Sequence, residues 1–184
     1  MHQVFINISE SLSKQAAVMY QAINFEQILV TALITMDQKL NQGLEFRYFL
    51  DSEDDWHKPK TLSLYITDAI EAQELNLQAR AKDYATNVLS YPTQLPAFLI
   101  QELPEIDLGE LVFCHEVVLK EAEEQNKTFD AHMTHLVVHG ILHLLGFDHE
   151  ISDQDADAME SYEIEILAKL GIDNPYLVQL TITQ

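Results

Sequence analysis

Apolar and polar residues alternate in several short stretches of this chain, and such alternation is typical of β-strands with one buried face. The predicted strands cover residues 4–9, 44–50, 61–67, 84–92 and 109–118. Pro92 ends the fourth of these strands, because proline cannot donate a backbone hydrogen bond to a neighbouring strand. Residues 93–109 contain two further prolines and are therefore expected to form a surface loop.

Apolar residues that recur every three or four positions predict helices in other parts of the chain. Residues 25–40 follow this spacing and stop shortly before Gly43, which is typical of the end of a helix. Shorter helices are expected over residues 68–76 and in the Glu- and Lys-rich segment that ends near Asn126. Residues 130–145 are apolar nearly all round, which is typical of a helix that is buried on every side.

A last helix is predicted to begin at Ser152. Ser152 and Asp155 have the spacing of a capping box, and Gly171 stands where a helix commonly ends. The apolar stripe of this helix consists of Ala156, Met159, Ile166 and Leu170. Because strands are grouped early, helices are grouped late and no linker separates them, residues 1–184 are predicted to form a single α/β (α+β) domain.

The composition is that of a folded, soluble protein, since 47% of the residues are hydrophobic. No stretch approaches the ~18 consecutive apolar residues that a membrane span needs. Residues 1–10 lack the basic start and the apolar run of a signal peptide. Cys114 is the only cysteine, so no intrachain disulfide can form. These features together predict a cytoplasmic protein that has no membrane partner.

The chain carries 30 acidic and 10 basic residues, which gives a formal net charge of -20. Taken alone, this charge argues against nucleic-acid binding, because contacts with RNA or DNA normally need a basic surface. The simplest interpretation is an acidic surface that keeps the protein in solution. Arg80 and Lys82 lie close together within residues 78–84, so the sequence does not exclude a small basic binding site on an otherwise acidic protein.

Three histidines mark the end of the predicted buried helix. Residues four apart lie on one face of a helix, so His139 and His143 can direct ring nitrogens to one point. Gly146 can reverse the chain there, because glycine readily adopts the left-handed backbone, and His149 can then return to the same point. Three neutral imidazoles with one position left open are typical of a catalytic zinc site. Ordinary core histidines with backbone partners are the alternative, which this spacing disfavours.

Other histidines fit such a site less well. At a rise of about 1.5 Å per residue, His135 and His143 are about 12 Å apart along the helix axis. They cannot share one ion, because zinc–nitrogen bonds are only about 2.0–2.1 Å long. His132 and His135 are therefore expected to pack in the core or to support the ligands. Ordinary polar or surface roles are expected for His2, His57 and His115.

The residue after the first histidine separates two kinds of zinc hydrolase. The three histidines and Gly146 match the metzincin pattern H-E-x-x-H-x-x-G-x-x-H, in which Glu is the general base of peptide hydrolysis. This chain has Gly140 in place of that Glu. The spacing therefore predicts a zinc hydrolase, and the glycine predicts that it is not a protease. Asp148 could either orient an imidazole or cap the turn, and the sequence leaves both roles open.

The segment HGILHLLGFDH (139–149) meets the pattern H-G-x-L-H-L-x-G-x-D-H at every fixed position, and on this segment the chain resembles the YbeY-type endoribonucleases. Further similar segments are ELNLQARAKDYATNVLSYP (74–92), LGELVFCHEVV (108–118) and AHMTHLVVHG (131–140), so the resemblance spans roughly residues 60–176. Three positions depart from the pattern of that family. Ala81 stands where glycine is common, Tyr91 replaces Phe, and Glu110 replaces Asp.

The resemblance implies a compact α/β fold with a small mixed β-sheet, on which a zinc-binding helix near the C-terminal part packs. It implies that His139, His143 and His149 bind one zinc ion (Zn2+) and that Arg80 is the catalytic arginine. The implied activity is a zinc-dependent, single-strand-specific endoribonuclease in 16S rRNA 3′-end processing, ribosome maturation and ribosome quality control. Implied partners are ribosomal RNA, components of the small ribosomal subunit and other assembly factors.

Two other functions stay open at this point. A zinc metallopeptidase-like hydrolase would use the same ligands with a base from elsewhere in the fold. A non-catalytic ribosome-assembly factor would hold the metal for structure alone. The net charge of -20 also leaves open whether RNA is held by a groove that contains Arg80 and Lys82 or is presented by a ribosomal protein.

Overall fold

Four strands form one sheet in the computed structural model, which describes residues 1–149 and 152–177. The strands are β1 (Gln3–Ile8), β2 (Lys60–Thr67), β3 (Val88–Pro92) and β4 (Ile106–Cys114). Their order in the sheet is β1-β2-β4-β3, in which β1, β2 and β4 are parallel and β3 is antiparallel to β4. The sheet is therefore small and mixed, as the family resemblance implies, and β1 and β3 are its edges.

Seven helices complete the described part of the chain. They are α1 (Lys14–Gln21), α2 (Phe25–Leu40), α3 (Ala69–Arg80), α4 (Ala97–Glu102), α5 (His115–Glu124), α6 (Phe129–Leu144) and α7 (Asp153–Lys169), with a 3-10 turn at Glu53–Asp55. The apolar spacing predicts α2, α6 and α7 well, but it misses α1 and α4. Within the described residues no single helix is long and apolar enough to cross a membrane, although α1 and α2 together, bent by 42°, pass that test by length and composition.

Helix α6 lies at the centre of the core. It contacts strands β3 and β4 of the sheet and helices α2, α5 and α7. Thr128 begins the helix, because its side-chain oxygen accepts a hydrogen bond from the backbone N–H of Ala131. One hydrophobic cluster joins the sheet, α6, α2 and α7. Most of α6 is buried, as predicted, but the face that carries His135, His139 and His143 is only partly buried.

Gly140 lets the backbone of α6 approach strand β4. A Cβ atom at position 140 would lie 2.6 Å and 2.7 Å from the two Cδ atoms of Leu111, closer than carbon atoms can pack. Leu111 is fully buried, so it has little room to move away. Gly140 is therefore a packing residue, and any larger side chain there would meet the sheet.

Residues 44–50 do not form the predicted strand but a series of turns. Phe46 and Phe49 are buried there, and their rings lie 5.0 Å and 5.1 Å from the ring of Trp56. The indole N–H of Trp56 donates a hydrogen bond of 2.6 Å to Asp37 on α2. An aromatic cluster, rather than a neighbouring strand, therefore buries the apolar residues of this segment, and the two buried residues are three positions apart.

Four other predictions differ from the structure. Residues 93–109 are not one loop, because α4 lies within them and β4 already begins at Ile106. The predicted strand 109–118 ends at Cys114, since Val118 and Ala122 are buried at helical spacing on α5. Helix α3 continues past residue 76 to Arg80, and Ala81, in the left-handed conformation, ends it. Residues 84–87, predicted as strand, precede β3.

Replacing Gly140 with Ala should lower the free energy of unfolding by about 1–3 kcal/mol, because overpacking against Leu111 outweighs the better helix propensity of Ala. Leu111→Ala should cost about 2–5 kcal/mol by leaving a cavity. The double variant should lose less unfolding free energy than the sum of the two single losses, since the new methyl group then has room. Urea unfolding of the four proteins measures this cycle, and additive losses would contradict the close approach.

Candidate metal centre

The structure brings the three predicted histidines together. The Nε2 atoms of His139 and His143 are 3.0 Å apart on one face of α6. The ring of His149 lies 5.2 Å from each of the other two rings, measured between centroids. One ligand nitrogen from each residue lies within 4.8 Å of the others. Tetrahedral zinc with bonds of about 2.0–2.1 Å needs ligand nitrogens about 3.3 Å apart, so the donor set fits such an ion after a small adjustment.

Gly146 makes the turn that returns His149. Its φ angle is +98°, in the left-handed region that favours glycine. A Cβ atom at this position would also lie 2.8 Å from the Cβ atom of Arg47 and 3.0 Å from the backbone nitrogen of Tyr48. Backbone conformation and close approach therefore both require glycine, which explains why the third histidine can follow the helix so closely.

His143 is suited to bind a metal at neutral pH. Burial, together with the positive charges that the neighbouring His139 and His149 can carry, lowers the pKa of His143 to about 4. A neutral imidazole has a free lone pair, which is the form that binds a metal ion. Asp148 lies in the wall of the same cavity, and its charge opposes the fall in the pKa of His143.

Glu163 on α7 is the main residue of the site that the sequence pattern misses. His139 donates a 2.7 Å hydrogen bond from Nδ1 to one carboxylate oxygen of Glu163, and His135 donates a 2.9 Å bond from Nε2 to the other. The hydroxyl of Tyr176 also donates to Glu163. A carboxylate that accepts from Nδ1 of His139 leaves Nε2 of that ring free to face the other two histidines.

Burial and hydrogen bonding act on Glu163 in opposite directions. Its side chain is 1% exposed, and burial raises its pKa. The hydrogen bonds from His135, His139 and Tyr176 outweigh burial and lower the pKa to about 2. Glu163 is therefore an ionised carboxylate at neutral pH, held by three donors.

A signal for Glu163 was present in the sequence. Position 163 falls on the same stripe of α7 as Met159 and Ile166, four residues after the first and three before the second. A charged residue on the apolar stripe of a helix is seldom buried unless it has partners. The many other acidic residues of this helix hide that signal, because a run of carboxylates usually forms a solvated face.

The remaining histidines stay outside the cluster, as expected. His132 donates a 2.9 Å hydrogen bond to Glu121, which is also held by the amide of Asn87. His135 supports His139 through their shared Glu163. The other three, His2, His57 and His115, bond to the backbone of Lys60, the carbonyl of Asp54 and the hydroxyl of Tyr20. Within residues 1–149 and 152–177, one group of three potential ligands is close enough to hold a metal.

Arg80 lies in the wall of the cavity that contains the three histidines. It is the last residue of α3, and the cavity measures about 490 Å³. The side chain is exposed, and none of the ion pairs in the described residues involves it. The guanidinium is therefore available to an anion that enters the cavity, whereas Lys82 is not part of the wall.

The departures from the family pattern leave the cluster intact. Ala81 ends α3 with a φ of +56°, so it adopts the left-handed conformation for which glycine is better suited, at a cost of about 1–2 kcal/mol. Tyr91 and Glu110 are opposite each other on β3 and β4 and line a second cavity of about 540 Å³. None of these three residues belongs to the wall of the first cavity.

The family model described as Endoribonuclease YbeY matches residues 21–171. The Psychrobacter cryohalolentis protein named Endoribonuclease YbeY is 52% identical over 151 residues, which are 81% of this chain and 97% of that protein. The Psychrobacter arcticus protein of the same name is 57% identical over 139 residues, 74% of this chain and 68% of that protein. A solution structure from Thermotoga maritima aligns at 22% identity over 92% of both chains with a TM-score of 0.47, a similarity too low to bear on function.

Replacing Glu163 with Gln should weaken zinc binding by about 10- to 100-fold, because the imidazole of His139 loses its charged acceptor. Glu121→Gln is the matched control, since Glu121 accepts a 2.9 Å hydrogen bond from His132, which is outside the ligand cluster. Competition with a coloured chelator measures both dissociation constants. Equal zinc affinity in the two variants would contradict the role of Glu163.

Proposed function

The chain belongs to the YbeY endoribonuclease family, and on that premise we propose that it is a zinc-dependent endoribonuclease that cleaves single-stranded RNA. One observation carries the proposal. The ring nitrogens of His139, His143 and His149 converge in the cavity that Arg80 also lines. A donor set for a metal ion and a guanidinium for phosphate therefore line the same cavity.

Zinc suits these ligands better than a hard cation does. Imidazole nitrogens bind zinc and other transition metals, whereas Mg2+ and Ca2+ prefer oxygen ligands. Three protein ligands with an open fourth position are the pattern of catalytic zinc, because a structural site is closed by four protein ligands. When bound, zinc would supply a water molecule with its pKa lowered toward about 7 and would polarise a phosphoryl oxygen.

The residues of the chain have separate tasks in this proposal. Glu163 accepts the Nδ1 proton of His139 and so holds the other nitrogen of that ring toward the cluster. Arg80 binds the non-bridging oxygens of the scissile phosphate, where negative charge develops during cleavage. Its guanidinium has no ion pair to break in the described residues, so binding a phosphate costs it no existing partner.

The acidic surface does not prevent this reaction. At physiological ionic strength, charges more than about 8 Å apart in water are largely screened, so distant carboxylates repel RNA only weakly. Binding then depends on contacts inside the cavity, where Arg80 is the basic residue of the wall. Because the acidic remainder of the chain does not attract RNA, we propose that a partner delivers the RNA, namely components of the small ribosomal subunit or other assembly factors.

The setting of the reaction is a further part of the proposal. We propose that the substrate is ribosomal RNA in the cytoplasm, with roles in 16S rRNA 3′-end processing, ribosome maturation and ribosome quality control. The support is the match of the family model over residues 21–171 together with relatives above 50% identity that carry the name Endoribonuclease YbeY.

A zinc peptidase is the rival use of the same ligands, and position 140 argues against it. In the peptidase pattern, the residue after the first histidine supplies the carboxylate that serves as general base. In this fold a side chain at position 140 meets Leu111 and is not part of the cavity wall. A non-catalytic assembly factor with a structural metal is a second rival, which predicts that Arg80 is dispensable.

The purified chain should contain about one zinc ion per molecule, and His143→Ala should reduce this content to near zero, because two imidazoles are too few to hold the ion. His57→Ala is the control, since His57 is exposed and bonds to the carbonyl of Asp54. Elemental analysis after dialysis measures the content. A wild-type protein without zinc would contradict the proposed cofactor.

Arg80→Ala should lower kcat for single-stranded RNA by about 100-fold, because the transition state loses a charged donor. Arg47→Ala removes the same charge from another exposed arginine, which pairs with Asp155, and should leave the rate unchanged. Casein offered to the same zinc-loaded protein should remain intact. Casein cleavage without RNA cleavage would favour the peptidase, and normal rRNA processing in cells that carry Arg80→Ala would favour the assembly factor.

A further inference from the structure

Within residues 1–149 and 152–177, the outer edge of strand β3 has backbone groups without hydrogen-bond partners beside the candidate metal centre. β3 is the last strand of the sheet and pairs with β4 alone. Two bonds fix which residues face β4: the amide of Cys114 donates to the carbonyl of Asn87, and the amide of Thr93 donates to the carbonyl of Leu108. In an antiparallel pair this orientation alternates, so the polar backbone groups of residues 88, 90 and 92 point outward.

This edge is rich in acceptors and poor in donors. The outward N–H of Val88 already donates a 2.7 Å hydrogen bond to the side chain of Asn87. Pro92 has no N–H to offer. The outward groups that stay available are therefore the carbonyls of residues 88, 90 and 92 and the single N–H of Ser90. Among the described residues, no other strand pairs with them.

Such an edge is unsuited to another β-strand. A strand that pairs with it would need donors and acceptors in alternation, and proline on an edge is a common device against such pairing. Nucleobases fit such an edge better, because each carries hydrogen-bond donors. These donors are the amino groups of adenine, cytosine and guanine and the ring N–H groups of guanine and uracil. Three spaced carbonyls match these donors, and a duplex would hide them within its own base pairs.

The same three residues line the cavity. Val88, Ser90 and Pro92 belong to its wall together with Arg80 and the three clustered histidines. A strand of RNA whose phosphate contacts Arg80 would thus pass along β3. Its sugar-phosphate backbone would face the histidines, and its bases would be able to reach the carbonyls of the edge.

We propose that the free edge of β3, at residues 88, 90 and 92, is a base-binding subsite that accepts hydrogen bonds from the N–H donors of single-stranded RNA. The subsite rests on the proposed function, which supplies the RNA. It selects single strands because only unpaired bases expose their donors, and it tolerates many sequences because every standard base carries at least one donor.

Matched RNAs test the subsite without changing the protein. Zinc-loaded full-length chain receives a mixture of two labelled hexanucleotides, one of adenosine and one of purine ribonucleoside, which lacks only the amino group. The ratio of cleavage rates in the mixture equals the ratio of kcat/KM. One hydrogen bond of about 1 kcal/mol corresponds to about a fivefold preference for adenosine. Equal cleavage overturns the subsite and leaves the proposed function intact, whereas cleavage of neither RNA overturns both.

One proline substitution on each edge of the sheet tests whether the subsite lies on β3. Ser90→Pro puts a ring where the outward N–H stood and obstructs the approach to the neighbouring carbonyls. Ile6→Pro is the matched control, because the amide of Ser9 donates to Ile66 and residues 4, 6 and 8 of β1 therefore face outward on the opposite edge. The adenosine preference should fall to about one in Ser90→Pro and persist in Ile6→Pro.

Two outcomes of this second experiment overturn the subsite. One is an adenosine preference that survives in a folded Ser90→Pro variant, as judged by its zinc content and thermal unfolding. The other is inhibition of RNA cleavage by an extended peptide of alternating Thr and Val, because the edge would then accept a β-strand. If Ser90→Pro does not fold, the comparison of the two hexanucleotides with the wild-type chain decides.

Discussion

The candidate site depends on the hydrogen bonds that the buried carboxylate of Glu163 accepts. A charge in a protein interior is costly unless hydrogen bonds satisfy it, and Glu163 receives them from His135, His139 and Tyr176. Two of these donors lie on α6 and one lies beyond α7. The carboxylate therefore joins α6, α7 and the chain after α7, and it fixes the ring of His139 at the same time. The hydrogen bonds of Glu163 therefore stabilise the fold and orient a metal ligand at the same time.

The position of α6 against the sheet is the second constraint. Gly140 brings the helix backbone close to Leu111 of β4, and Gly146 brings the following turn close to Arg47 and Tyr48. Both glycines lie within the segment that carries the clustered histidines. The sequence pattern gives Gly140 a chemical meaning, as the place where a peptidase base is missing. Packing also requires glycine at position 140, because the side chain of any other residue would meet the sheet before it reached the cavity.

The cavity joins elements that are far apart in the sequence. Arg80 ends α3, residues 88, 90 and 92 lie on the edge strand β3, and the histidines come from α6 and the turn after it. A local set of metal-binding nitrogens and a guanidinium that forms no ion pair within the described residues can act on RNA even in a chain of net charge -20, since screening weakens distant repulsion and leaves close contacts strong. Function in this chain therefore depends on where a few groups meet, not on the total charge.

Periodicity and spacing alone determine much of the secondary structure of this protein and the composition of its histidine cluster. They predict α2, α6 and α7, strand β2, the cap at Ser152 and the convergence of three histidines, because each of these features depends on residues close in sequence. Residues 44–50 mislead, since the burial of Phe46 and Phe49 depends on the distant Trp56. Only the tertiary structure decides that Glu163 holds His139, that Arg80 shares the cavity and that the edge of β3 lies beside it. Each of these contacts joins separate elements, and local patterns carry no information about which elements pack together.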